Sequence, residues 1–176
     1  VKLLRKKYLS IFNSVSKLSK GIRIKNDSDL IKLYNSKKRF VWVAAYDLRL
    51  FEPLLYKLAS SKEIINLAKI AGIKKPYFKT MPVLRVDMPR DNPKYRYGAH
   101  QDYPFSKGSK SSVTIWLPLQ DVSIKNGPLK IAEGSHKGQK IYKTNKNKII
   151  LNKFKFTFKD MPCKLGDAIV FSQCLV

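Results

Sequence analysis

The sequence predicts an α+β fold in which N-terminal helices pack on a β-sandwich or barrel. Apolar residues recur at helical spacing through the first seventy residues, and short alternating runs follow Gly72. Turn dipeptides such as Asn126-Gly127 separate these runs. Helices followed by successive β-segments are typical of α+β domains. We therefore expect one domain over residues 1–176, with a mainly helical lead-in over 1–75 and a β core over 76–176.

The helical part begins with an amphipathic stretch that is predicted to end near Gly21, a residue type common at helix C-termini. The apolar positions of this stretch share one helical face: Leu4, Tyr8, Ile11, Phe12, Val15 and Leu18. A second, short helix is predicted to begin at Asp27 or Ser28. Two helices are thus expected within the first 35 residues.

Residues 40–58 are apolar and predicted to be mostly helical. Pro53 is expected at the start of a new helix, because proline fits the first helical turn and not the interior. Ser60 and Glu63 have capping-box spacing, and the helix that they open is predicted to end at Gly72. The prediction therefore assigns most of the first seventy residues to helices.

Strand-like runs follow Gly72. The predicted strands are residues 77–87, 95–102, 113–119, 129–132, 154–158 and a run opened by Leu165-Gly166-Asp167. In 113–119 one face is aliphatic and is predicted to be core, whereas Thr114 and Trp116 lie on the mixed face, which is typical of a cavity lining. The β part is therefore expected to enclose a small polar cavity.

His100 and Asp102 are separated by one residue, Gln101, in the second of these strands. Side chains two residues apart on a strand project from the same face, so the imidazole and the carboxylate can converge on one point. Such a pair supplies two ligands of the 2-His-1-carboxylate triad, which holds Fe(II) and leaves positions open for other ligands. The pattern predicts a metal site at His100 and Asp102.

Five motifs then occur in a fixed order. They are His-Gln-Asp-Tyr at 100–103, Thr-Ile-Trp-Leu-Pro-Leu-Gln-Asp at 114–121, Asn-Gly-Pro-Leu-Lys-Ile at 126–131, Glu-Gly-Ser-His-Lys-Gly at 133–138 and Leu-Gly-Asp-Ala-Ile-Val-Phe at 165–171. Residues 80–176, with a fainter echo from residue 50, resemble the phytanoyl-CoA dioxygenase family. Five blocks in order are far more specific than a single His-x-Asp.

The resemblance implies a double-stranded β-helix (a cupin-like jelly roll) and an Fe(II)- and 2-oxoglutarate-dependent dioxygenase that hydroxylates a small molecule. His100 and Asp102 match the family's metal ligands. Trp116 matches a residue that lines the 2-oxoglutarate pocket, although a half-buried structural role fits it equally well. Arg85 is a weaker candidate for a cosubstrate or substrate contact, with a surface arginine as the alternative. His136 stands in a block whose histidine is not a ligand in the family, and a ligand role for it is the less favoured alternative.

The family's second metal histidine is expected just beyond Val176, and its cosubstrate arginine about ten residues later. The jelly roll is therefore expected to be incomplete at the C-terminus. We expect these 176 residues alone to bind Fe(II) weakly and to show no turnover, because two of three ligands are present.

The net charge of +24 arises from 36 basic and 12 acidic residues. Such a balance is compatible with nucleic acid, an acidic surface or an anionic substrate. The lysines alternate with Asn, Ile and Leu and carry no recognised nucleic-acid-binding motif, so we favour solvated faces. A basic nucleic-acid-binding module and a metal-free jelly-roll binding protein remain the alternative functions. The substrate and the oligomeric state are not specified by the sequence.

Two cysteines, Cys163 and Cys174, argue against a disulfide scaffold and for a reducing compartment, so we expect a cytoplasmic protein. Both are predicted to be buried. The sequence has no run of eighteen apolar residues, and we expect no membrane partner.

Overall fold

The computed structural model describes residues 1–88, 98–145, 148–149 and 155–176. The chain forms two compact units. One contains residues 1–61 and the described part of 82–90, and the other contains 62–81 and the described part of 91–176. The prediction of a single domain over 1–176 stays a prediction.

The first unit is helical, with α1 (Lys2–Leu18), α2 (Asp27–Asn35), α3 (Arg39–Leu48), a 3-10 turn (Arg49–Phe51) and α4 (Pro53–Ala59). The core side chains of α1 recur every four residues, as one face of a helix requires. They are Leu4, Tyr8, Phe12 and Ser16. The ring of Trp42 in α3 lies 6.1 Å from that of Phe12 and 5.0 Å from that of Tyr34, so aromatic side chains fill the space between the three helices.

Local sequence signals explain where these helices begin. The Asn26 side chain accepts a hydrogen bond from the amide of Asp29 and caps α2, and Pro53 occupies the first position of α4 as predicted. The predicted capping box at Ser60 is wrong. The Ser60 hydroxyl instead donates to the carbonyl of Tyr56, so Ser60 closes α4.

The end of α1 differs from the prediction in its use of glycine. Lys20, with φ +48°, takes the left-handed conformation that was expected near Gly21. A Cβ at Gly21 would lie 2.4 Å from the Ser16 hydroxyl oxygen. Glycine is therefore required here for close approach between backbone and side chain. Gly72, where the next helix was predicted to end, follows α5 and has a φ of +92°.

Among its described residues, the second unit contains α5 (Lys62–Ile70), a short helix α6 (Tyr103–Ser106) and six strands. The strands are β1 (Val113–Trp116), β2 (Leu129–Ala132), β3 (Thr144–Asn145), β4 (Lys148–Ile149), β5 (Phe158–Met161) and β6 (Ile169–Ser172). Within the described residues they pair antiparallel as β1 with β6, β2 with β5 and β3 with β4. The α+β class is confirmed, but the described residues do not form a complete double-stranded β-helix.

Several predicted strands are shorter or displaced. Residues 77–87 and 98–102 form neither helix nor strand, and residues 95–97 lie outside the described part of the chain. Strand β1 ends at Trp116, two residues before Pro118, which has no amide hydrogen for a ladder. Strand β5 begins at Phe158 because it pairs with Ala132, the last residue of β2, so residues 155–157 have no partner strand there. Phe154 lies outside the described residues.

Cys174 is fully buried as predicted, whereas Cys163 is only half-buried, which corrects the prediction for that residue. None of the described helices is long and apolar enough to cross a membrane.

Candidate metal centre

His100 and Asp102 lie in the loop that leads into α6. Asp102, with φ −72° and ψ −28°, already has helical backbone angles, and Pro104 occupies the first turn of α6, a position that proline favours. The His100 Nε2 atom lies 3.4 Å from Oδ1 of Asp102, and the two side chains are 27% and 32% exposed. The predicted convergence of the two side chains is present, although the residues do not belong to a strand.

The other polar atom of each side chain has a partner within the protein. His100 Nδ1 lies 2.7 Å from the carbonyl oxygen of Gly98. A carbonyl only accepts, so Nδ1 carries a proton, which leaves Nε2 as the ring nitrogen that can bind a metal once it is unprotonated. Asp102 Oδ2 accepts a 2.6 Å hydrogen bond from the Thr114 hydroxyl in β1. These contacts direct Nε2 and Oδ1 toward the same point, as partners behind metal ligands commonly do.

Gln101, between the two candidate ligands, points into the interior and is 1% exposed. Its Nε2 donates to the carbonyls of Lys140 and Cys174, and its Oε1 accepts from the amide of Tyr142 at 2.9 Å. Both N–H groups of the Gln101 side-chain amide therefore donate to backbone carbonyls. The side chain fixes the loop so that its neighbours project away from the interior.

The donor set fits part of an Fe(II) site. Two donors bound to one metal ion at about 2.1 Å lie roughly 3.0 Å apart when their bonds are at right angles, close to the separation of Nε2 and Oδ1 in His100 and Asp102. Across the described residues, no group of three His, Cys, Asp or Glu side chains gathers where it could hold a metal. His136 therefore does not join His100 and Asp102, which argues against the less favoured prediction that it is a ligand.

Trp116 lies two residues after Thr114 on β1, so both side chains project from one face of the strand. The antiparallel register places Phe171 opposite Thr114 and Ile169 opposite Trp116. Because directly opposed residues share a face, this face presents Thr114, an indole and two apolar side chains. All four residues are half-buried. Thr114 connects this face to Asp102, whereas a cosubstrate role for Trp116 stays a prediction.

Arg85 lies in the first unit and forms an ion pair with Asp87 at 2.8 Å. Its side chain is 38% exposed. Residues 77–88 form no strand, so the prediction of a strand over 77–87, which would carry Arg85, is wrong. Its proposed contact with a cosubstrate or substrate stays a prediction.

Sequence reasoning missed two residues that hold the centre together. The sequence predicts Thr114 in a cavity lining without a link to Asp102, and it assigns no role to Gln101. Alternation supplies a signal for Gln101, because the residue between two side chains on one face projects the opposite way. A polar residue at such a position must find partners if it is buried.

The family model for phytanoyl-CoA dioxygenase (PhyH) matches residues 53–176, which is more than half of the chain. No curated protein and no solved structure matches the chain.

Proposed function

We propose that this chain, which belongs to the phytanoyl-CoA dioxygenase family, is an Fe(II)- and 2-oxoglutarate-dependent oxygenase that acts on a small molecule. Members of this family are dioxygenases, and the proposal adds the metal, the cosubstrate and the residues that hold them. The observation that best supports this proposal is the 3.4 Å distance between Nε2 of His100 and Oδ1 of Asp102. We further propose that the paired strands belong to a double-stranded β-helix.

In this proposal His100 and Asp102 are two of the three protein ligands. When bound, Fe(II) supplies the redox chemistry by which O2 and 2-oxoglutarate oxidise a substrate C–H bond. The protein orients the donors: Gly98 keeps the proton on Nδ1 of His100, and Thr114 holds the carboxylate of Asp102. The third ligand is not among the described residues.

Trp116 is proposed to form a wall of the cosubstrate pocket. It shares a strand face with Thr114, whose hydroxyl binds Asp102, so a ligand that reaches the metal from this side passes the indole. The apolar neighbours Ile169 and Phe171 would help to exclude water from that side. Arg85 remains an alternative contact for an anionic group.

Metal binding by this pair should depend on pH. A histidine binds a metal only through a neutral nitrogen, so protonation of the His100 imidazole competes with the metal. Metal affinity is therefore expected to fall as the solution becomes more acidic.

Titration of Fe(II), or of Mn(II) as an air-stable probe, under anaerobic conditions tests the proposal. We expect His100→Ala and Asp102→Asn each to weaken binding by at least about tenfold, because the first removes a donor atom and the second removes the negative charge of the other donor. His136→Ala is the matched control, since it removes the other histidine of the chain, and should change nothing.

Equal binding by the wild type, His100→Ala and His136→Ala would contradict the proposal. It would favour the alternative of a metal-free binding protein. Circular dichroism of each variant shows whether the fold is retained. Succinate formation from 2-oxoglutarate, measured with the same variants, then tests whether bound metal supports turnover.

A further inference from the structure

Lys79 belongs to the second unit, in the segment between α5 and α6, and its side chain is half-buried. Its ammonium nitrogen donates to Oε1 of Gln173 at 3.0 Å and lies 5.3 Å from the centre of the Tyr103 ring. Both partners are neutral. None of the ion pairs formed by the described residues includes Lys79.

The environment of Lys79 disfavours a charge that has no counter-ion. Burial lowers the pKa of Lys79 below its ordinary value, an effect that a neighbouring anion would oppose. A partly desolvated ammonium gains more from a carboxylate or phosphate than one in water does. Most lysines in the described part of the chain are exposed, so water solvates their charge.

The contacts of Lys79 lead directly to the loop that carries Asp102. The same Gln173 oxygen accepts a 2.8 Å hydrogen bond from the Ser106 hydroxyl, and the Gln173 carbonyl accepts from the amide of Tyr103 at 2.9 Å. Gln173 is 8% exposed, so its position is fixed by packing. Lys79 is thereby held against α6, the helix that begins immediately after Asp102.

Gly108 leaves the space that Lys79 occupies. A Cβ at this position would lie 3.0 Å from Cε of Lys79, and the φ of +82° at Gly108 already favours glycine. Both the backbone conformation and the packing of Lys79 thus favour glycine at position 108. The lysine stem lies in a defined place rather than extending freely into solvent.

We propose that Lys79 is the anion subsite of the candidate metal centre and binds a carboxylate of a ligand whose other end reaches His100 and Asp102. This inference rests on the proposed function. The inference names Lys79, in the second unit, as the cation of the site. Arg85, the cation that the sequence suggested, is exposed and paired with Asp87. The carboxylate can belong to 2-oxoglutarate or to an acidic substrate, and the two sources are separable.

Calorimetric titration of Mn(II)-loaded protein with two probes separates them. The probes are 2-oxoglutarate and 2-oxopentanoate, in which a methyl group replaces the distal carboxylate. If Lys79 binds the cosubstrate, the wild type prefers 2-oxoglutarate and Lys79→Met removes about a tenfold to hundredfold preference, as expected for a hydrogen bond between charged groups. Binding of 2-oxopentanoate is expected to be unchanged.

If Lys79 binds the substrate instead, Lys79→Met leaves both 2-oxo acids unaffected. It then weakens a carboxylate probe, octanoate, that is titrated in the presence of saturating 2-oxoglutarate. Lys75→Met is the matched control, because Lys75 is an exposed lysine of the same segment. Lys79→Gln repeats the loss of charge with a polar side chain, and thermal melts of all variants report the fold.

The inference is overturned if Lys79→Met and Lys79→Gln fold normally and bind every probe like the wild type, or if Lys75→Met weakens binding equally. Titrations with glutarate in the absence of metal measure the carboxylate contact alone. A loss of that contact in Lys79→Met would support the subsite even if His100→Ala showed no effect on metal binding. Failure of the metal proposal and failure of this inference therefore give different results.

Discussion

The side-chain amide of Gln101 donates a hydrogen bond to the backbone carbonyl of Cys174, 73 residues further along the chain. Cys174 follows β6 and is fully buried, so this bond ties the loop of His100 and Asp102 to the end of a paired strand. A second bond, to the carbonyl of Lys140, comes from the same nitrogen. The buried amide of Gln101 thus helps to fix the position of the loop that carries both candidate ligands.

Gln101→Ala is expected to destabilise the protein by about 2–4 kcal/mol, because it removes three hydrogen bonds to backbone groups, one of them fully buried. Chemical denaturation measures this loss. Mn(II) affinity should also fall, since the loop is no longer fixed. The control Gln139→Ala changes an exposed glutamine and should alter stability by less than about 0.5 kcal/mol. A stable Gln101→Ala protein with normal metal affinity would show that the loop is held by other contacts.

Thr114→Val removes the hydroxyl that donates to Asp102 and keeps the shape of the side chain. We expect metal affinity to fall about tenfold or more, as is common when a partner behind a metal ligand is removed. Titration with Mn(II) measures the change. Thr157→Val, at an exposed threonine, is the control. Unaltered affinity in Thr114→Val would mean that the carboxylate is oriented without the hydroxyl.

The sequence predicted the α+β class and most helices, because helical periodicity and turn residues are local signals. It also placed His100 and Asp102 together, since both lie in one tripeptide. It failed for residues 77–87, where alternating side chains suggested a strand but no partner strand is present among the described residues. Strand formation needs a partner, and the choice of partner is not encoded within a strand's own residues.

Contacts between distant residues explain the other misses. The bond from Thr114 to Asp102 joins β1 to the ligand loop, and the contact of Lys79 with Gln173 joins residues 94 positions apart. Neither relationship leaves a pattern in the sequence. Residue type alone led the prediction to Arg85 as the cation, because arginine binds carboxylates in two-point geometry. The proximity of Lys79 to the Tyr103 ring, in the helix after Asp102, has no comparable signal in residue type.

Trp116→Ala is expected to weaken 2-oxoglutarate binding and to leave Mn(II) affinity unchanged, because the indole is proposed as a wall and not as a ligand. Some stability is lost as well. A fully buried Trp→Ala change costs about 3–5 kcal/mol, and less is expected for the half-buried Trp116. Trp42→Ala, in the core of the first unit, controls for destabilisation alone. If both variants fold and show equal 2-oxoglutarate affinity, Trp116 is a packing residue only.

Tyr8 is 6% exposed, and among the described residues its hydroxyl has no hydrogen-bond partner. Burial raises the pKa of Tyr8 far above its ordinary value, so the hydroxyl stays neutral. Tyr8→Phe removes this unpaired group and keeps the ring, which lies 4.9 Å from that of Phe12. We expect the free energy of unfolding to be unchanged or to rise by up to about 1 kcal/mol, because desolvation of the hydroxyl no longer opposes folding.

Tyr34→Phe is the matched contrast to Tyr8→Phe. The Tyr34 hydroxyl accepts a 2.6 Å hydrogen bond from the Arg39 guanidinium, so its removal should lower the free energy of unfolding by about 1–2 kcal/mol. Both side chains are buried tyrosines of the same unit, and urea unfolding of the two variants compares them directly. The decisive quantity is the sign of the difference between them. If Tyr8→Phe destabilises as much as Tyr34→Phe, the Tyr8 hydroxyl has a partner in solution, such as an ordered water molecule.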